Sequence, residues 1–81
     1  AGKGKLNNRD YKSELQELLQ SKGILDIRYS LEKEEGPDHN KTFSVSLEIC
    51  GKPGGSGTGR SKKIAEQNAA KDAMERGLDV F

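Results

Sequence analysis

The chain has no tryptophan, one cysteine, one histidine and one methionine, and two tyrosines and two phenylalanines are its only aromatic residues. Cys50 alone cannot close an internal disulfide, and His39 alone forms no ligand cluster, so neither a disulfide framework nor a structural metal holds this protein together. An unpaired cysteine fits a reducing, cytoplasmic setting, and its place at the end of an alternating run reads as a half-buried strand residue, not a reactive thiol. No apolar stretch approaches the roughly 18 residues of a membrane span, and no signal-peptide pattern opens the chain. Net charge is only +1, so charge total gives no general attraction to nucleic acid. With 31% hydrophobic and 33% charged residues in 81 positions, one small domain with a thin, well-patterned core is expected.

The pattern itself is informative. Ala1 to Arg9, "AGKGKLNNR", lacks apolar periodicity and reads as a flexible leader or linker, with a phosphate-touching basic arm as its functional alternative. Asp10 is a suitable N-cap for "YKSELQELLQSKG", where Tyr11, Leu15, Leu18 and Leu19 recur at helical spacing and Gly23 supplies a stop. Ser13, Gln16, Glu17 and Gln20 fall on the opposite, polar side of that helix. "DIRYSLEK" and "TFSVSLEIC" alternate apolar and polar residues as half-buried strands, and the Gly, Pro, Asp and Asn of "EEGPDHNK" join them as an antiparallel pair. Glycine-rich "GKPGGSGTG" reads as a loop by propensity, with a third short strand around Gly55 to Thr58 needed to complete a minimal sheet. Ser61 caps a last helix, "KKIAEQNAAKDAMERG", whose Ala65, Ala69, Ala70, Ala73 and Met74 form a small-residue face and which Gly77 ends. Ile64 falls away from that face, and the pattern offers no reason for it. Leu78, Val80 and Phe81 either pack below this helix or fray. The order α-β-β-β-α predicts an α+β fold, with two helices on one face of a three-stranded antiparallel sheet and the other face solvated.

Three surface features remain once the core is assigned: the polar face of the first helix, the GPDHNK loop and the cations Arg60, Lys62 and Lys63 at the second helix start. "GGSGTGRS" approaches the phosphate-binding loop GxxxxGK[ST], but Arg60 replaces the lysine, and the chain is too short for the βαβ unit and acidic strand that a nucleotidase requires. Lysines in a first helical turn oppose the macrodipole, a local cost that suggests a ligand. Cations, free amides and the positive end of a helix at one spot suit phosphate. No paired carboxylates on a structured element support catalysis, so no catalytic residue and no metal ligand is assigned.

The segments "DYKSELQE", "GPDHNKTF" and "GTGRSKKIAEQNAA", in this order and spacing, closely resemble the double-stranded RNA-binding domain, in the version at the C-terminus of bacterial ribonuclease III. The resemblance covers about Asp10 to Leu78, which sets the domain at 10–78, a leader at 1–9 and a tail at 79–81. It implies that the helices and the first loop grip one face of A-form RNA over about 16 bp, crossing two minor grooves and the major groove between them. By position, Ser13, Gln16 and Glu17 would meet one minor groove, and Pro37, by its carbonyl, and His39 the next. Arg60, Ser61, Lys62 and Lys63, with Gln67 one turn on, would bridge phosphates across the major groove. Where many members of the family outside the ribonucleases have KKxAK, this chain has Glu66, a spelling that resembles the bacterial ribonuclease branch and removes one expected cation.

The resemblance further implies a substrate-binding fragment of a dimeric, magnesium-dependent endoribonuclease of RNA processing, rRNA included, with the active site outside this chain. No cofactor, nucleotide or membrane is expected for the chain itself. Two other functions compete: a protein-interaction module of the same fold, suggested by the near-neutral charge and Glu66, and a nucleotide-binding enzyme, suggested by the glycine-rich loop alone.

Overall fold

Helical spacing, alternation and glycine placement together generate five elements. A computed structural model describes residues 10–77, which form α1 (Tyr11–Ser21), β1 (Ile27–Glu35), β2 (Thr42–Ile49), β3 (Lys52–Gly59) and α2 (Lys62–Arg76). The leader at 1–9 and the tail, including Leu78, Val80 and Phe81, lie outside the described residues. The strands form one antiparallel sheet in the order β1-β2-β3, and both helices lie against the same apolar face.

α1 begins where Asp10 accepts a hydrogen bond from the Ser13 amide and ends in a Schellman arrangement. Gly23, at φ +80, donates to the Gln20 carbonyl while Ile24 donates to that of Leu19. Leu15 and Leu19 are fully buried, whereas Leu18, expected in the same stripe, is 44% exposed on its flank. The apolar stripe is narrow because α1 is covered along one side only.

β1 runs two residues beyond the expected strand, and a bulge between Leu31 and Lys33 breaks its alternation. Val45, Leu47 and Ile49 of β2 point into the core, while Arg28, Ser30 and Glu48 are exposed on the other face. Cys50 is not a strand residue: it is exposed in the two-residue turn between β2 and β3, with φ +55, followed by Gly51 at φ +76. Two successive positive φ values are what a type I′ hairpin needs, so turn geometry overrides the alternating pattern here.

β3 is a full strand of eight residues, longer than the segment expected, and its glycines explain why. A Cβ on Gly55 would lie 2.8 Å from the Ala69 carbonyl oxygen and 2.9 Å from the Ala73 nitrogen, and one on Gly57 would lie 2.6 Å from the Ala65 carbonyl oxygen and collide with the Ala69 nitrogen. The backbone of α2 therefore rests on the backbone of β3. Ala65, Ala69, Ala70 and Ala73 are fully buried in that contact. Ile64 also finds its reason, since its side chain covers the Cα of Gly59 where β3 turns toward α2. At the sheet edge, the Ser56 amide donates to Asp72 at 3.0 Å and Asn68 donates to the Thr58 carbonyl at 2.6 Å, so α2 occupies groups that an edge strand would offer to another chain.

Gly57→Ala is expected to force helix and strand apart, costing at least about 3 kcal/mol, or roughly 12 °C in a domain of this size. Thermal unfolding measures it, and a melting temperature within a few degrees of the parent would contradict the contact described.

Candidate nucleic-acid interface

The start of α2 concentrates positive charge. Ser61 adopts an extended backbone, and its Oγ accepts from the Ile64 amide at 3.1 Å, which leaves the hydroxyl proton available to donate. Lys62 and Lys63 follow in a first turn without acidic residues, and Arg60 precedes the cap. All three cations are exposed, and none forms an ion pair with another described residue. Cations placed against the helix dipole without a protein carboxylate are suited to an external anion.

The β1–β2 loop is shaped to stand beside them. Gly36, at φ +97, has no room for a Cβ because the Asn40 carbonyl oxygen occupies that place. The Pro37 carbonyl accepts the Asn40 amide at 2.9 Å, closing a tight turn, and one oxygen lone pair remains for another donor. Lys41 bonds Glu34 and lies 3.8 Å from Asp38, tying the loop to the end of β1. His39, Arg60, Ser61 and Lys62 then line a single shallow depression. A loop between two strands and the start of a distant helix thus share one surface.

On α1, Ser13, Gln16 and Glu17 are exposed. Ser13 donates its hydroxyl to Asp10 at 2.8 Å, so toward a ligand it can only accept. Gln16 borders a groove with Gln20, Leu25 and Tyr29, whereas Glu17 borders a second hollow with Leu18 and Ser21. The three residues therefore span the outer face of the helix, not a single spot.

Gln67, expected at phosphates, has internal partners. Its amide is turned toward α1, where Oε1 accepts from the Tyr11 amide at 2.7 Å and Nε2 donates to Asp10 at 2.9 Å. Glu66 has an internal partner as well: Lys12 at 2.7 Å. Sequence reasoning identified Asp10 only as a local cap and gave Lys12 no role. The local signals were a capping carboxylate and an acid in place of a family lysine, but the partners sit more than fifty positions away. Tyr29, beneath this junction, is pushed up to about 12 by burial and by the nearby Glu66 and Asp10 carboxylates, so its hydroxyl stays neutral at physiological pH. Among the described residues, no three His, Cys, Asp or Glu side chains come together in a way that could hold a metal ion.

Hydrogen bonds from Gln67 and then Ser13 hold the Asp10 carboxyl down from its ordinary 3.8 to about 2. A depressed folded value means the cap contributes stability above pH 3.8 and loses it as the pH falls toward 2. NMR titration is expected to place Asp10 near 2, with the Ser13 amide shifting in step. A midpoint near the ordinary value would show that the cap is not formed.

The family model for the double-stranded RNA binding motif matches residues 11–76. Ribonuclease 3 of Streptococcus pneumoniae is 57% identical over 70 residues, which are 86% of this chain and 30% of that protein, in strain CGSP14 among others. The chain thus spans about 30% of the length of these curated relatives. Among solved structures, Arabidopsis HYL1, studied for its implications for miRNA processing, superposes with a TM-score of 0.71 at 30% identity, covering 84% of this chain and 96% of that one. The second double-stranded RNA-binding domain of DRB4 gives 0.57 at 39% identity, covering 82% and 92%. With the motif matched from the first residue of α1 to the last of α2 on the α-β-β-β-α frame, the chain belongs to the double-stranded RNA-binding motif family.

Proposed function

We infer that residues 10–78 bind double-stranded RNA by its shape, 2′-hydroxyls and phosphates, as the substrate-binding part of a ribonuclease III-type endoribonuclease of RNA processing. The observation that carries this reading is the cationic start of α2, without acidic partners among the described residues, beside the His39 loop on one surface. Arg60, Lys62 and Lys63 neutralise backbone phosphates, with Ser61 donating from the cap. Pro37, through its free lone pair, and His39 enter one minor groove; Ser13, accepting from a 2′-hydroxyl, with Gln16 and Glu17, meets another. Such contacts recognise A-form geometry with little sequence preference.

Hydrolysis, magnesium and homodimerisation are assigned to the remainder of a protein like the ribonuclease relatives, and the setting to the cytoplasm. No helix among the described residues is long and apolar enough to cross a membrane. The protein-interaction alternative drew support from Glu66. Its pairing with Lys12 gives that acid an internal use, so Glu66 no longer argues for it, and the near-neutral net charge is the support that stays.

In a salt titration with a duplex RNA of about 20 bp beside the DNA duplex of the same sequence, salt-sensitive binding to RNA and much weaker binding to DNA are expected. Equal binding to both would reduce the site to a basic patch. Lys62→Ala and Lys63→Ala are each expected to lower affinity and flatten the salt slope by up to about one unit. Lost affinity at an unchanged slope would argue against phosphate contact. His39→Ala should weaken RNA binding while the melting temperature stays put, and unaltered affinity would remove His39 from the interface.

A further inference from the structure

Gln67 has a polar side chain with one accepting and one donating group, and both face α1. Oε1 accepts from the amides of Tyr11 at 2.7 Å and Lys12 at 3.3 Å, and Nε2 donates to Asp10 Oδ1 at 2.9 Å. These are first-turn amides that a helix leaves without intrahelical acceptors; the next one, from Ser13, goes to Asp10. α1 is therefore capped in part by a side chain of α2, fifty-six positions along the chain from Tyr11. The Lys12 to Glu66 ion pair, adjacent on both helices, closes the same junction, and the Lys12 ammonium also lies 4.8 Å from the Tyr29 ring centre. Elsewhere α1 is held by Leu15, Leu19 and half-buried Tyr11 against a core to which α2 contributes mainly alanine, and the Lys71 ammonium of α2 lies 5.8 Å from the Tyr11 ring centre. Contact through so few side chains is non-directional and holds the register of α1 on α2 only loosely. The hydrogen bonds of Gln67 are directional and sharpen it.

We propose that Gln67 is a positioning residue for duplex RNA: by capping α1 from α2 it sets the place of the Ser13, Gln16 and Glu17 face relative to the cations Arg60, Lys62 and Lys63, and it touches no RNA itself. The proposal rests on the RNA-binding reading above. Grooves and phosphates of an A-form helix recur at fixed separations, so contact surfaces on two helices reinforce each other only when held at a matching distance.

A charge-neutral exchange tests this in the full chain. Gln67→Glu places a second carboxylate against Asp10, and RNA affinity is expected to fall roughly tenfold without change in salt slope. Adding Asp10→Asn restores the original net charge and lets the side-chain amide introduced at position 10 donate to the new carboxylate, at the cost of the Ser13 amide's acceptor, so part of the affinity should return. A residue in direct contact with phosphate behaves otherwise: a carboxylate at position 67 repels RNA whatever stands at position 10. Failure of the double variant to recover would therefore overturn the proposal. So would a Gln67→Glu variant with a lower melting temperature and undiminished affinity, which would leave Gln67 a purely structural role. If the carboxylate pair prevents folding, Gln67→Met removes the hydrogen bonds without adding charge. It should expose the Tyr11 and Lys12 amides to faster hydrogen exchange and weaken RNA binding at an unchanged slope, and full affinity would again overturn the proposal. Failure of the RNA-binding reading itself is distinguishable, because it appears in the unaltered chain as no binding to duplex RNA.

Discussion

The backbone of α2 lies directly on the backbone of β3, and most of the molecule follows from that contact. Two strand positions without side chains face a helix whose buried residues are alanines, so nothing bulky separates the two elements. With so few large apolar side chains, a close contact of this kind gives dispersion energy that a looser packing would forfeit. It also fixes where α2 begins. Gly59 ends β3, Arg60 follows at once, and Ser61 caps the helix, so the cations are presented at a defined end of the sheet. The same proximity lets Asn68 and Asp72 reach the outer edge of β3.

Charge is used in two opposite ways on this frame. Lys12, Lys41 and Arg76 are paired with carboxylates: Lys12 joins the two helices, Lys41 ties the β1–β2 loop to β1, and Arg76 braces the last turn of α2. Arg60, Lys62 and Lys63 lack such partners among the described residues and face outward. Fourteen basic and thirteen acidic residues nearly cancel in the sum, yet the surface is uneven because the pairing is selective. A net charge close to zero is therefore a poor guide to what this protein binds. Glu66 illustrates the point: it removes one cation from the α2 surface and, by pairing with Lys12, neutralises another on α1 while joining the two helices.

Much of the fold was legible from local rules. Asp10, Ser61, Gly23 and Gly77 mark helix ends through capping chemistry that acts within four residues, and period-two alternation located β1 and β2. All but one of the failures have a long-range cause, the exception being the local hairpin turn at Cys50. Leu18 matched the helical stripe, but its exposure depends on how far the sheet extends beneath α1. Cys50 continued an alternating run, but the hairpin turn claimed it. The glycines of β3 looked like a loop because propensity counts the side chain a residue lacks, not the helix that fills the space. Ile64 made no sense on a helical wheel and became intelligible only against Gly59. Of the site, the cations, the loop and the α1 face could be located in sequence, whereas the partners of Gln67 and Glu66 could not.

Both helices, β1 and β2, the caps that end the helices and the concentration of cations at one helix start are legible locally, because these depend on residues within a turn or two of one another. Tertiary contacts extend β3 from the short strand expected to eight residues, bring His39 into one depression with Arg60 and Lys62, and turn Gln67 to cap α1. Those outcomes depend on which distant groups come within hydrogen-bonding or van der Waals reach, and that reach exists only after α2 has settled on β3.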